Sequence, residues 1–427
     1  MSTTTLPEGW HIPLTQWFTV QLITATTVAF TSASSPLRNA AAILAFATAY
    51  SVQLSAQKYL PGTRFGAPIV AMCWINVLNA IDLLILSRAS YEAQQEYNAN
   101  SKSNPNPTTS KPLPHPGPGL ALALALCKRY IWSLALTFNY RRINTPWQIR
   151  SLPHFNPDQP GYIPTRTRFL VTSVAKLIFS VGIVHIFTIE TSDLYLNHAV
   201  SHLPTKPGEI LFPFLYPSSA TLGWKRDLVL RVLFTLSFGV VARATIVAGY
   251  TLFAVLFVGS GLHQPRMWPP VEGGIWNEGW CLRGFWGKSW HQTLRALLVS
   301  NADFLSSSLH IPIPLRTPFR FIFCFFVSGI IHLLMDVGFG VSIPESGALW
   351  FFSLQVLGVL VEVSVGRVLG KGLGDVGMWV KKGVGFVWVG AFMLWSVPVW
   401  VNPILVRLFA DGVRMMSPFL GFGGWVI

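Results

Sequence analysis

The stretch Phe319-Arg320-Phe321-Ile322-Phe323-Cys324-Phe325-Phe326-Val327-Ser328-Gly329-Ile330-Ile331-His332-Leu333-Leu334-Met335-Asp336-Val337-Gly338 decides the fold class. It is one long apolar run, and about 17 to 25 such residues let an α-helix cross roughly 30 Å of hydrocarbon. His332 lies in its middle, at a depth where a polar group is costly and is expected to have a task. Runs of the same kind flank it: Trp17 to Ala33, Ala40 to Leu54, Ile69 to Leu86, Phe169 to Ile189, Leu228 to Leu262, Leu349 to Val365 and Val384 to Val401. The 427 residues are 51% hydrophobic and only 11% charged, whereas an average soluble domain is about a quarter charged. Mean hydropathy is +0.47. The expected fold is all-α: a polytopic transmembrane helical bundle of about eight spans in a lipid bilayer, with amphipathic or re-entrant segments around a buried chamber.

The net charge of +14 raises nucleic acid as a partner. No contiguous basic helix or glycine-rich RNA signature accompanies it, and the basic residues gather between apolar runs, so nucleic acid is excluded. Arg88 to Arg168 carries ten Lys/Arg against three acids, His263 to Arg320 six against three, and Gly366 to Gly383 four against one. If basic segments stay cytoplasmic, these three share a side only when Leu228 to Leu262 makes one net crossing. That predicts eight crossings with both termini luminal, within a range of seven to nine. Cys73, Cys127, Cys281 and Cys324 show no paired spacing, which points to reduced structural thiols and no metal site. The residues before Trp17 lack a basic n-region, so the first run is expected to be an uncleaved anchor.

The organisation expected is one integral membrane domain in three blocks: N-terminal spans at 1–88, a cytoplasmic linker and interfacial segment at 89–168, and a transmembrane core at 169–427. Tyr97 to Gly119 is rich in Asn, Ser, Pro and Lys and reads as a disordered linker. Leu120 to Phe138 is apolar but interrupted by Lys128 and Arg129. With Asn139 to Trp147 after it, it reads as interfacial, a spanning reading being the alternative that flips the charge parity.

Chemistry concentrates in His263 to Arg320. Five of the chain's 17 tryptophans (Trp268, Trp276, Trp280, Trp286, Trp290) fall there, interleaved with Arg283, Lys288, His291 and Arg295. Two readings stand open. The cluster can be an aromatic anchor in the headgroup region, or a substrate gate whose basic groups hold phosphates while aromatic walls hold an acyl chain and an apolar acceptor. His332 likewise can be packing glue between helices or a general base, since imidazole titrates near operating pH. Asp336, four residues on, would share its helix face and can orient the imidazole through Nδ1; near the end of the run it can also simply be solvated. Within other runs, Asn76, Asn79 and Asp82 recur every three residues, Lys176 and His185 share one run, and Asp82 with Lys176 is the expected charge pair. Arg231, Arg243 and Glu362 are expected to be paired or snorkelling.

Trp268-Pro269-Pro270, then Leu282-Arg283-Gly284-Phe285-Trp286-Gly287-Lys288-Ser289-Trp290-His291-Gln292, then Ser328-Gly329-Ile330-Ile331-His332 resemble the wax synthase-like branch of the membrane-bound O-acyltransferases. The likeness is to fungal members that acetylate terpenoid and meroterpenoid hydroxyls, and Asn139 to Arg150 with its Thr-Pro-Trp-Gln resembles a further segment of theirs. The resemblance implies transfer of an acyl group, acetyl above all, from acyl-CoA to the hydroxyl of an apolar alcohol, in an integral multi-pass protein of the endoplasmic reticulum. It implies His332 as base; His291 and, from its helix position, Asp336 are the further catalytic candidates. Arg283, Phe285, Trp286, Lys288, Trp290, Gln292, Arg295 and Asn301 are the candidate binding residues. Many relatives have Asn where this chain has His291, so His291 and Gln292 are the candidate donors for the developing oxyanion, with Asn301 as a substitute; a His291 that simply faces headgroups is the alternative. No bound cofactor is implied, because the thioester of the co-substrate acyl-CoA is already activated. A lipophilic-molecule transporter, a wax-ester synthase acting on long-chain alcohols and a noncatalytic membrane scaffold are the competing readings.

Overall fold

The computed structural model describes residues 8–60, 66–101, 117–150, 152–187, 200–216, 224–369 and 377–410. Among the described residues there is no strand, and seven helices are long and apolar enough to cross a membrane: Gly66–Leu86, Pro118–Phe138, Arg166–Phe187, Asp227–Gly259, Ile313–Gly338, Ala348–Val368 and Met378–Leu408. An all-α polytopic bundle is thus what the sequence folds into. Two details change. The Trp17 and Ala40 runs form helices α1 (His11–Phe30) and α2 (Leu37–Tyr59), but their Thr, Gln and Ser content keeps them out of the seven. Conversely, Pro118–Phe138, expected at the interface, has the length and apolarity of a span, with Leu120, Leu122 and Leu124 exposed as on a lipid-facing surface. Its interrupting Arg129 is compensated by residues distant in sequence: Nε donates to the Ala29 carbonyl and Nη2 pairs with Glu92 at 2.7 Å. The parity argument, which needed this helix outside the bilayer, therefore no longer orients the chain. Of the expected linker, residues 97–101 close the helix Tyr91–Ser101, and 102–116 lie outside the described residues.

The chain forms two compact units: Met1–Leu60, Pro68–Arg150 and Thr293–Cys324 in one, Pro61–Ala67, Ser151–Gln292 and Phe325–Ile427 in the other. In the first, α1 packs along α2 and against Pro118–Phe138. The packed face of α2 is a stripe of small residues (Ala42, Ala45, Ala49, Val52, Ala56), which lets helix backbones approach closely where no hydrophobic effect drives them together. Helix α3 (Gly66–Ile81) runs on into a π turn, Asp82–Leu86, against which Arg295–Ser308 returns. This return brings a segment from far along the sequence into the first unit.

The polar spacing of three on that run has a local explanation. Asp82 pairs with Arg142 at 2.5 Å, both fully buried, so the expected partner Lys176 is replaced; Lys176 is exposed on Arg166–Phe187. Arg142 Nη2 also donates to Asn79 Oδ1 at 2.7 Å, Asn79 Nδ2 donates to the Thr137 carbonyl at 2.8 Å, and the Tyr140 hydroxyl donates to Asn76 Oδ1 at 2.6 Å. These bonds hold the segment after Phe138 in a tight turn in which Arg142 and Asn144 adopt left-handed φ values of 54° and 60°, a conformation that persists only when the surroundings enforce it.

In the second unit Arg166–Phe187 lies along the single continuous helix Trp224–Gly259, which bears out one crossing for the Leu228 to Leu262 run. Met378–Ala410 packs on Trp224–Gly259 and on Ala348–Leu369. Pro398 lies inside Met378–Ala410 and can give no hydrogen bond to the carbonyl four residues earlier. That carbonyl, Leu394 O, accepts from Arg231 at 3.4 Å, and the same guanidinium donates to Ile210 O at 3.0 Å. Arg243 pairs with Glu272 at 2.7 Å.

Removing one partner of a buried ion pair strands the other charge and costs about 3–5 kcal/mol. Arg142→Met should therefore lower the thermal midpoint of the detergent-solubilised protein sharply, and adding Asp82→Leu should restore most of it. An unchanged midpoint in Arg142→Met would show the pair to be dispensable.

Candidate active site

Trp268 to Gln292 contains short turns, Ile275–Glu278 and Leu282–Gly284, followed by a five-residue π turn, Phe285–Ser289; such turns recur at functional positions. The segment doubles back on itself: Gly273 N donates to Lys288 O at 3.1 Å and Gln292 N to Val271 O at 2.9 Å. A Cβ at Gly273 would strike Lys288 O, so the approach requires glycine. Two polar residues of Ala348–Leu369 hold the segment. Glu362 accepts the backbone N–H of Leu282 at 2.5 Å and of Arg283 at 3.2 Å, together with the Trp388 indole at 2.9 Å. Gln355, fully buried, accepts the Trp286 indole at 3.1 Å and donates to Ser396 Oγ at 3.2 Å. Seven residues separate Gln355 from Glu362, so two helical turns put both on one face.

Trp286 is the hub of an aromatic cluster, with ring centroids 5.7 Å from Trp290, 6.0 Å from Phe325, 6.1 Å from Phe351 and 6.4 Å from Phe352. Phe352 carries the cluster to His332, tilted against it at 4.6 Å, and Trp400 stands edge-on to the same imidazole at 4.8 Å. Gly329, one turn before His332, makes this packing close, because a Cβ there would press on Leu349 and Phe352 at 3.1 and 3.3 Å.

The imidazole is pinned by its own helix: Nδ1 lies 2.7 Å from the Ser328 carbonyl. A carbonyl only accepts, so the proton of a neutral ring sits on Nδ1 and the lone pair on Nε2. That is the form a base requires. His291 belongs to the same unit. Its Nδ1 is buried with no hydrogen-bond partner, and burial, reinforced by the field of His332, holds it down to about 4, so it stays neutral at ordinary pH. A buried, unpaired ring nitrogen is available to a ligand, since leaving it unsatisfied is costly.

The other sequence-designated residues divide. Phe285 stacks on Trp290 at 5.6 Å, and Gln292 is buried, its amide donating to the Trp290 carbonyl, so both shape the segment. Arg283 and Lys288 are exposed, and Lys288 bonds Glu278 at 3.0 Å. Arg295 and Asn301 lie in the other unit on Arg295–Ser308, where Asn301 Nδ2 bonds Leu297 O at 2.7 Å. Asp336 is not solvated and does not receive the Nδ1 proton, because Ser328 O already does. It is fully buried and bonds Ser346 and Trp400 instead. Phe352, Gln355 and Trp400 were not anticipated. Gln355 carried a signal, being an amide in the middle of an apolar run; an aromatic ring among so many others carried none.

Residues 268–354, which include the doubled-back segment and His332, match the membrane bound O-acyl transferase family. The chain is 28% identical over 298 residues to acetyltransferase spyB of Aspergillus fumigatus, covering 65% of this chain and 48% of that protein. It is 28% identical to acetyltransferase aurG of Calcarisporium arbuscula, covering 66% of each, and 30% identical to acetyltransferase atnC of an Arthrinium species, covering 65% and 63%. The chain thus spans from about half to just under two thirds of the length of these relatives. No solved structure matches. The matched segment, carried on an all-α bundle, makes this chain similar to the membrane bound O-acyl transferase family and to these fungal acetyltransferases.

Proposed function

We propose that this protein transfers an acyl group, acetyl first of all, from acyl-CoA to the hydroxyl of an apolar acceptor, with His332 as general base. The observation that carries the reading is the Nδ1 bond to Ser328 O, which turns a basic Nε2 away from the helix backbone. In the proposed step Nε2 takes the proton of the acceptor hydroxyl as its oxygen attacks the thioester carbon. The C–S bond then breaks, and the departing CoA thiolate takes up the proton from the imidazolium. The negative charge that develops on the thioester oxygen needs a donor, and His291, neutral and unpaired at Nδ1, is assigned that part. The aromatic cluster is the wall for the acceptor. A terpenoid or meroterpenoid alcohol is the acceptor class we favour, and the membrane of the endoplasmic reticulum the location, both following the motif resemblance. Transport fits less well: Asp82, Arg142, Arg231, Arg243 and Glu362 are bonded within the protein rather than left to line an ion path.

Microsomes carrying the chain, given labelled acetyl-CoA and a panel of terpenoid, sterol and long-chain alcohols, should form labelled esters with terpenoid alcohols. His332→Ala should lower the rate by about 10² to 10⁴ at equal protein level. Undiminished ester formation in that variant would end the proposal, and turnover of long-chain alcohols alone would reassign the acceptor.

His291→Ala should lower kcat by about 10² to 10³ with little change in KM for acetyl-CoA. Because His291 is held at about 4, its charge does not change on going from about pH 6 to 8, so the variant should keep the parent's pH profile over that window. A profile reshaped there would remove His291 from the role of neutral donor.

A further inference from the structure

Asp336 sits one helical turn beyond His332, yet its carboxylate serves another ring. Both oxygens accept the indole N–H of Trp400, each at 3.1 Å, and Oδ2 also accepts the Ser346 hydroxyl at 2.6 Å. The residue is wholly buried. A carboxyl group at such depth is expensive unless its hydrogen bonds are made, and these are. What they fix is the indole. Trp400 stands at 88° to the imidazole of His332 with centroids 4.8 Å apart. It is braced on its other sides by Phe351, stacked at 5.4 Å, and by Phe238 at 5.0 Å. Backbone features set the same ring in place. Trp400 lies between Pro398 and Pro403 in its helix, and Gly347 lets the start of Ala348–Leu369 press against Val399 and Trp400, where a Cβ has no room.

The His332 ring is therefore held on three sides, by Ser328 O at Nδ1, by the Phe352 face and by Trp400. To that packing the single indole N–H, shared between both oxygens of Asp336, adds a directional restraint on the ring.

We propose that Asp336, with Ser346, acts as a positioning residue for the base at one remove: the carboxyl group fixes Trp400, and Trp400 fixes the rotamer that presents Nε2 of His332 to the substrate. This rests on the reading of His332 as the base. It replaces a direct Asp-His contact with a contact through an indole, and makes Trp400 a determinant of turnover although it forms no hydrogen bond with the imidazole.

The test uses the full-length protein in nanodiscs, acetyl-CoA and the best acceptor of the alcohol panel, with four variants: Trp400→Phe, Asp336→Asn, the double variant and His332→Ala. A displaced catalytic group costs about 10- to 100-fold. We expect Trp400→Phe and Asp336→Asn each to lower kcat by about that factor, with KM for acetyl-CoA changed less than about twofold. The double variant should be no slower than Trp400→Phe alone, since residues acting through one contact are not additive. Carbethoxylation of His332 by diethyl pyrocarbonate, followed by mass spectrometry, should change in rate in all three positioning variants and gives a readout that needs no acceptor. If Trp400→Phe fails to fold because it strands the carboxyl group, the double variant, which has no stranded carboxylate, must fold and be slow. Wild-type kcat per folded molecule, additive losses, or an unchanged carbethoxylation rate would overturn the positioning role. Full activity in His332→Ala would overturn the base itself, a separate failure.

Discussion

The hydrogen bond from Nδ1 of His332 to the Ser328 carbonyl, one turn earlier on the same helix, governs what the rest of the second unit can do. A histidine in hydrocarbon surroundings has two nitrogens to satisfy. Giving one to the helix backbone assigns the tautomer and leaves a single basic nitrogen to face away. Everything packed around the ring preserves that assignment: Gly329 admits Phe352, Phe352 covers one face, and Trp400 stands against it. A ring free to rotate would alternate between acceptor and donor and serve neither role well.

The polar residues buried in the apolar helices have a common use, which is to hold irregular backbone that hydrocarbon would otherwise reject. Glu362 and Gln355 fasten the doubled-back segment from Leu282 to Trp286, Arg231 covers the carbonyl released by Pro398, and Arg142 with Asp82 secures the turn after Phe138. Hydropathy alone marks such residues as candidates for an ion or substrate path. Their partners show that in this protein they act as fasteners.

Local signals were legible and non-local ones were not. Apolar length gave the helices, the Leu228 to Leu262 run among them as the single helix Trp224–Gly259. The tryptophan-rich segment and the deep histidine mark the candidate site because both stand out against apolar surroundings. The Pro118–Phe138 helix has the length and apolarity of a span although Lys128 and Arg129 look prohibitive in isolation, because the compensation of Arg129 by Glu92 and Ala29 comes from elsewhere in the chain. Asp336 was misread for the same reason. Its place near the end of a run suggests water, but Ser346 and Trp400, the latter 64 residues away, close over it. Asp82 was matched to Lys176 by charge and depth, and the turn that brings Arg142 to it depends on left-handed backbone that sequence spacing does not announce.

The central claim is that the free nitrogen of His332 meets the reacting groups. A cryo-electron microscopy structure of the full-length protein with a nonhydrolysable acetyl-CoA analogue tests it most directly. The analogue's acyl carbonyl should lie beside Nε2 of His332, with room for one hydroxyl oxygen within about 3 Å of that nitrogen. An acyl group bound elsewhere, or an Nε2 bonded to another side chain of the protein, would contradict it.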